Sequence, residues 1–235
     1  VNEGFVSEKL GIPGRPAIAE ALMVMRDVML AKETGARLHI AHVSTALSVE
    51  IIRRAKADGV RVTAETCPQY FTLTEEAVLT HGSMARVNPP LRTRTDTEAI
   101  IAGLADGTID AIATDHAPHS LEEKALPLDK APSGIIGLET SLALALTTLY
   151  HTGKLPLGRF AELMSAAPSR ILGIQKGRID TGCDADLVIF DPDEQWTVDP
   201  DKFRSKGRNT PFKGMTLKGK VKYTIVGGKI VYSAV

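Results

Sequence analysis

The sequence predicts an α/β protein: residues 1 to 174 are built on a parallel sheet, and residues 175 to 235 form a separate all-β element. Three observations carry this reading. Short strand-like stretches alternate with helical patterns at the interval expected of βαβ units. Histidines and an aspartate gather at the C-terminal ends of those stretches. Beyond Gly173 the helical periodicity gives way to strands joined by a Gly-Gly turn.

In chain order, Ile18, Ala21, Leu22, Met25, Val28 and Met29 recur at helical spacing between Pro16 and Lys32, with proline at the start and Gly35 past the end. Arg37 to Val43 is predicted as a strand. Ser44 and Thr45 cap a helix carrying Val49, Ile52 and Ala55, which stops at Asp58-Gly59. Val60 to Thr66 is a second strand, Thr74 to Leu79 a short helix, and Thr95 to Ala105 a stronger helix with Ile100, Ile101 and Leu104 on one face. Ile109 to Thr114 completes the order β, α, β, α, β. The polar loop Asp115 to Ser133 follows, and its length and strand-end placement raise the expectation of a lid. A long apolar helix over Leu138 to Tyr150 comes next, then one or two more between Leu155 and Leu172. Ala185 to Asp191, Gln195 to Val198, Thr216 to Val226 and Lys229 to Tyr232 read as strands, with Gly227-Gly228 as a hairpin turn.

Composition narrows the function classes. The 235 residues are 43% hydrophobic and 24% charged, with Lys+Arg 28 against Asp+Glu 28, an ordinary globular balance. Such neutrality disfavours a nucleic-acid footprint or a polybasic membrane anchor. No apolar run approaches the roughly 18 residues of a membrane span, and no signal peptide opens the chain, so a cytoplasmic location is expected. Cys67 and Cys183 are too few for a disulfide framework and lie in no CxxC spacing, which excludes a structural zinc knuckle. The chain starts at Val1 rather than Met and reads as cut from something longer.

Of the histidines, His42, His116 and His119 fall at or just after the ends of predicted parallel strands, where α/β barrels place their chemistry. His39 and His42 share one strand three residues apart, so strict alternation turns them to opposite faces and favours the later one, His42, as a metal ligand. Asp115, in Ala113-Thr114-Asp115-His116-Ala117-Pro118-His119, offers a hard oxygen ligand or proton acceptor at a strand end; the competing reading is a loop salt bridge. The loop Val87-Asn88-Pro89-Pro90-Leu91-Arg92 carries an amide and a guanidinium suited to a small polar ligand. Gly134 and Gly137 free the backbone for close approach to a ligand, or simply for helix entry. Cys67 reads as a packing residue, and no serine-hydrolase elbow, P-loop or HExxH is present.

Taken together, VNEG with LGIPGRP, HIAHVST, VTAETCPQY, VNPPLRT, DGTIDAIATDHAPH, PLDKAPSGIIGLET, ADLVIFDP and NTPFKGMTLKGKVKYTIVGGKIVY cover nearly the whole chain. In these stretches it resembles the dihydroorotases, cyclic amide hydrolases of the amidohydrolase superfamily. DHAPH and APSGIIGLET discriminate best from hydantoinases and allantoinases. Gln69-Tyr70 stands where many dihydroorotases have a histidine pair, a hydantoinase-like departure.

The resemblance implies the C-terminal part of a (β/α)8 TIM barrel, about strands six to eight, followed by strands of a small β-sandwich. It implies one or two divalent metals, usually zinc, that lower the pKa of water for attack on the ring amide carbonyl. By resemblance, His42 and Asp115 are metal ligands, and Asp115 also moves the proton. Asn88, His119 and the backbone at Ser133 and Gly134 contact substrate. The family's early HxH motif and further ligands are absent from this chain, so zinc is expected to bind weakly or not at all to it alone, and the chain alone to be inactive. Expected partners are a small-molecule substrate, a second copy in a homodimer and possibly aspartate transcarbamoylase, with neither nucleic acid nor membrane. A hydantoinase- or allantoinase-like amidase and a non-catalytic assembly subunit are the alternatives.

Overall fold

Residues 1–234 are described by a computed structural model. Two three-stranded sheets organise it, one parallel and one antiparallel. In the first, β1 (Leu38–Ile40), β2 (Val62–Thr66) and β3 (Ala111–Ile112) lie side by side in chain order, all parallel. His39 stands opposite Thr63, and Glu65 opposite Ala111.

The longer helices form where the sequence places them, while the short helix expected over Thr74 to Leu79 forms later, at Ala77–His81. A short helix, α1 (Phe5–Leu10), which periodicity does not reveal, opens the chain, and α2 (Ala17–Thr34) follows, closed by Gly35 at φ 67. In α3 (Ala46–Ala57) the N-cap Thr45 accepts the Ser48 amide at 3.2 Å. A second unforeseen helix, α4 (Pro68–Thr72), leaves β2 with proline in its first turn. It is followed by α5 (Ala77–His81) and α6 (Arg94–Asp106), the latter held by a capping box between Thr93 and Asp96.

Apolar side chains of the sheet and of the helices packed on it meet in one core. Ile40, Ala64 and Ile112 pack with Val49 and Ile52 of α3 and Ile100 and Leu104 of α6. Gly103 lets α3 and α6 approach closely, since a Cβ there would lie 3.1 Å from Val49 Cγ1.

Several expectations need correction. The strand predicted over Arg37 to Val43 is confined to β1, because the chain turns into the left-handed region at His42, φ 55. The strand predicted over Ile109 to Thr114 is only β3: the Asp110 carboxylate accepts the Ala64 amide at 2.8 Å before it, and Asp115, φ 46, turns the chain after it. The single helix predicted over Leu138 to Tyr150 is α8 (Ser141–Ala145), whose path widens into a π-helical segment over Leu146–Tyr150. It is preceded, inside the long polar loop, by a one-turn helix, α7 (Leu121–Lys124). A similar widening joins α9 (Leu157–Ala161) to α10 (Ala167–Leu172).

The second sheet is antiparallel, with β5 (Thr216–Val226) between β4 (Leu187–Thr197) and β6 (Lys229–Ser233). The two strands predicted over 185–191 and 195–198 are this one strand β4, broken in register between Asp191 and Gln195. Gly227 and Gly228, φ 55 and 76, make the hairpin turn as expected. The sheet sits against α8 and its extension: a Cβ on Gly219 would lie 2.5 Å from Leu146 Cδ1, and Leu217 shares a core with Leu144, Tyr70 and Val6. Among the described residues no helix is long and apolar enough to cross a membrane.

Ile100 is wholly buried where α3, α6 and the parallel sheet meet. Ile100→Ala is expected to destabilise the chain by about 2–5 kcal/mol, read as a lower urea midpoint with unchanged slope.

Candidate functional site

The C-terminal ends of the three parallel strands each deliver one ionisable side chain to the same place. His42 follows β1, Glu65 is the penultimate residue of β2, and Asp115 follows β3. Asp115 Oδ1 lies 3.5 Å from His42 Nε2, and Glu65 Oε1 lies 3.0 Å from His42 Nδ1. His42 and Asp115 are the two described non-glycine residues with positive φ, an uncommon conformation that costs energy and concentrates at functional sites.

Glu65 is the residue that sequence reasoning missed. Its other oxygen lies 3.3 Å from His39 Nε2, so the two histidines converge on one carboxylate instead of facing opposite ways. Strict alternation fails here because β1 ends at Ile40 and the chain turns at His42. Burial alone would raise the Glu65 pKa, but hydrogen bonds from His39 and His42, with their charge, outweigh it and bring it down to about 2. Glu65 raises the His42 pKa in return, against the opposing effect of burial, with the Asp115 charge adding to the rise. Asp115 itself is held above the usual carboxylate range by burial, His42 opposing and the Glu65 charge adding.

This donor set fits a divalent metal in part. With Nδ1 engaged by Glu65, His42 presents Nε2 toward Asp115, the arrangement of a ligand histidine backed by an outer carboxylate. Two ligand atoms on a tetrahedral zinc are spaced by about 3.3 Å, close to the 3.5 Å found between them. Among the described residues there is no group of three or more His, Cys, Asp or Glu side chains that could hold a metal.

From Asp115 the chain leads through His116-Ala117-Pro118-His119 to a polar wall. His119 Nε2 donates to the Ser133 carbonyl at 3.1 Å, and the Gly134 amide donates to the Arg86 carbonyl at 2.9 Å. Gly134, φ 139, has no room for a side chain, because a Cβ would lie 2.6 Å from Ala117 Cβ and 3.0 Å from His119 Nε2. Thus His119, Ser133 and Gly134 come together, and Arg86 Nε adds a bond to Ser133 Oγ at 3.3 Å. Asn88 is two residues beyond Arg86, where its side-chain oxygen accepts from Arg15, and Tyr70 OH fixes the adjoining Pro89 carbonyl at 2.8 Å.

Other sequence candidates serve the framework. Arg92 is 4% exposed and is engaged by the Asn2 side chain and the Arg15 carbonyl, both at 2.7 Å, and by Ser44 Oγ at 3.2 Å, so its guanidinium is not offered to a ligand. Glu20 accepts the Ser44 and Thr45 amides at 3.0 and 3.2 Å, anchoring the chain just beyond His42. His116 Nδ1 accepts the Gly137 amide at 3.1 Å and so caps the approach to α8. Cys67 is fully buried 3.4 Å from His42 Nδ1, and burial, with the Asp115 and Glu65 charges, pushes its thiol pKa far up, which leaves it a packing residue.

The imidazole and the carboxylate face one another at the C-terminal edge of the parallel sheet, the edge at which α/β-barrel enzymes carry their active sites. The chain belongs to the amidohydrolase family, which residues 2–231 match. It is 56% identical over 231 residues to a dihydroorotase from Pelotomaculum thermopropionicum, covering 98% of this chain and 54% of that protein. A dihydroorotase from Syntrophus aciditrophicus is 54% identical over 232 residues, with 99% and 54% coverage. Among solved structures, the L-hydantoinase (dihydropyrimidinase) of Arthrobacter aurescens superposes with a TM-score of 0.89 at 36% identity, over 93% of this chain and 50% of that one. The dihydropyrimidinase of Brevibacillus agri NCHU1002 gives 0.88 at 29% identity with the same coverage. The chain spans about half the length of the curated relatives it matches.

Lys124 is buried beneath the wall, donating to the Pro132 and Gly134 carbonyls at 3.0 Å each. Burial, with the Arg86 charge adding, lowers its pKa from an ordinary 10.5 to about 8. Between these values the unfolded chain binds more protons than the folded one, so this lysine makes stability rise with pH across that window. Urea midpoints measured from pH 7 to 10 are expected to rise more steeply for the native chain than for Lys124→Met.

Proposed function

We propose that this chain is the C-terminal portion of a dihydroorotase, about strands six to eight of a (β/α)8 barrel over residues 1–174 with β-sandwich strands over 175–235. The reaction is the reversible hydrolysis of dihydroorotate to N-carbamoyl-aspartate in pyrimidine biosynthesis. The observation that carries the reading is the 56% identity, over 98% of the chain, to a relative named dihydroorotase. The strand-end pair of His42 and Asp115 supplies chemistry that suits it.

In this reading His42 Nε2 and Asp115 hold one or two divalent metals, usually zinc, together with ligands from outside the chain. When bound, the metal polarises the ring carbonyl and makes water acidic enough to attack at neutral pH. Glu65 keeps His42 turned so that Nε2 faces inward. The Asp115 carboxylate accepts the proton of the attacking water and returns it to the departing ring nitrogen. Asn88, His119 and the Ser133-Gly134 backbone hold the ring and its carboxylate. The reading also carries a cytoplasmic location, a homodimer and an association with aspartate transcarbamoylase; exposed Leu22, Met25 and Met29 on α2 offer apolar surface for such contacts.

A hydantoinase-like amidase is the second reading, favoured by Gln69-Tyr70 and by the 0.89 TM-score to the Arthrobacter enzyme. In a protein joining this chain to the kind of N-terminal half its relatives carry, dihydroorotate turnover is expected, and Asp115→Asn should lower kcat by about 1000-fold. Turnover of hydantoin without dihydroorotate would favour the second reading. For the chain alone, two ligand side chains fall short of the usual three or four, so weak zinc binding is expected. Stoichiometric zinc surviving dialysis against a chelator would contradict this.

A further inference from the structure

We infer that Asn209, ninety residues beyond His119, is a positioning residue that locks the two sides of the substrate wall together. Asn209 is fully buried, and every polar atom of its side chain is spent on this wall. Its Nδ2 donates to the Ala117 carbonyl at 2.9 Å and to the Gly134 carbonyl at 3.1 Å, while its Oδ1 accepts the His119 amide at 3.1 Å. Its backbone carbonyl accepts the Ile136 amide at 3.0 Å. One side chain therefore bridges the descending strand-end segment 117–119 and the returning segment 134–136.

The neighbouring backbone is shaped for this bridge. Gly207 packs so tightly that a Cβ would lie 2.6 Å from Ile136 Cγ2 and 2.9 Å from Pro118 Cβ. An amide is the group the position requires, because it must donate twice and accept once; a carboxylate cannot donate, and an apolar residue would strand the Ala117 carbonyl and the His119 amide and leave the Gly134 carbonyl to Lys124 alone. Lys124 supports the same peptide from below through the Gly134 carbonyl. The consequence reaches His119. Because Nε2 faces the Ser133 carbonyl, which only accepts, that nitrogen carries a proton, while Nδ1 faces the Glu123 carboxylate at 3.9 Å, beyond hydrogen-bond reach. The C-terminal segment thus holds His119 in one tautomer, and the Asp115 to Ser133 loop acts as a preassembled wall in place of a closing lid.

The inference rests on the proposed assignment of His119, Ser133 and Gly134 to substrate, but its test needs no substrate, so a failed turnover assay and a loosened wall are separate results. Amide hydrogen exchange and imidazole 15N shifts are measured on this whole chain, native and Asn209→Ala. In the native chain His119 is expected as the Nε2–H tautomer. In Asn209→Ala the amides of Ala117 and Gly134, which bond Ile135 and Arg86 and not the Asn209 side chain, should exchange at least tenfold faster. His119 should become a tautomer mixture, while amides in α3 and α6 stay as in the native chain. Asn209→Asp, isosteric and still able to accept the His119 amide, should speed the same two amides and serves if the alanine variant does not fold. Unchanged exchange at Ala117 and Gly134, uniform acceleration throughout the chain, or an Nδ1–H tautomer of His119 in the native chain would each overturn the inference.

Discussion

The carboxylate of Glu65 is the constraint on which the site depends. It bonds His39 and His42 at once, and those bonds bring its pKa to about 2, so it stays ionised through any ordinary working pH. An ionised acceptor at Nδ1 fixes the His42 ring and leaves Nε2 pointing at Asp115. Without that anchor, two residues in strained left-handed backbone would have to hold their places unaided, at about 1–3 kcal/mol each. The ladder continues on either side of them instead: the Val43 amide bonds the Glu65 carbonyl, and the Ala113 amide bonds the Thr66 carbonyl, both at 2.9 Å. Just beyond His42, Glu20 and Arg92 secure Ser44 from two further elements.

The site is assembled from distant parts of the chain. The parallel sheet supplies the charged trio, the long loop supplies the wall, and the segment before β5 closes that wall through Asn209. The antiparallel sheet is joined to the rest by apolar packing of Leu217 with Leu144 and by the close approach of Gly219 to Leu146. Position at strand ends explains why so little of the site's chemistry needs helices: those elements chiefly bury Ile40, Ala64 and Ile112 from behind.

Much of this was legible in the sequence, for physical reasons that can be named. The order of βαβ units follows from apolar periodicity and caps, and Thr45, Thr93 and Gly227-Gly228 act as their residue types suggest. His42 and Asp115 were visible as candidates because chemistry collects at strand ends, and the structure brings the two together. Glu65 was not, since an acid at an alternate position of a strand reads as an outward-facing residue, and its two partners become neighbours only when β1 stops short. Arg92 looked like a ligand contact because spacing does not report burial, and the partners that consume it, Asn2, Arg15 and Ser44, lie far off in sequence. Asn209 shares the difficulty, its bonds being a matter of tertiary register alone.

The central claim is that His42 Nε2 and Asp115, oriented by Glu65, form one side of a metal centre. The measurement that tests it most directly is anomalous X-ray scattering at the zinc edge from crystals of a protein joining this chain to the remaining half of one of its relatives. The account expects zinc within bonding distance of both His42 Nε2 and Asp115, with Glu65 still on His42 Nδ1. Zinc bound through other residues, with His42 turned to present Nδ1 or Asp115 uncoordinated, would contradict it.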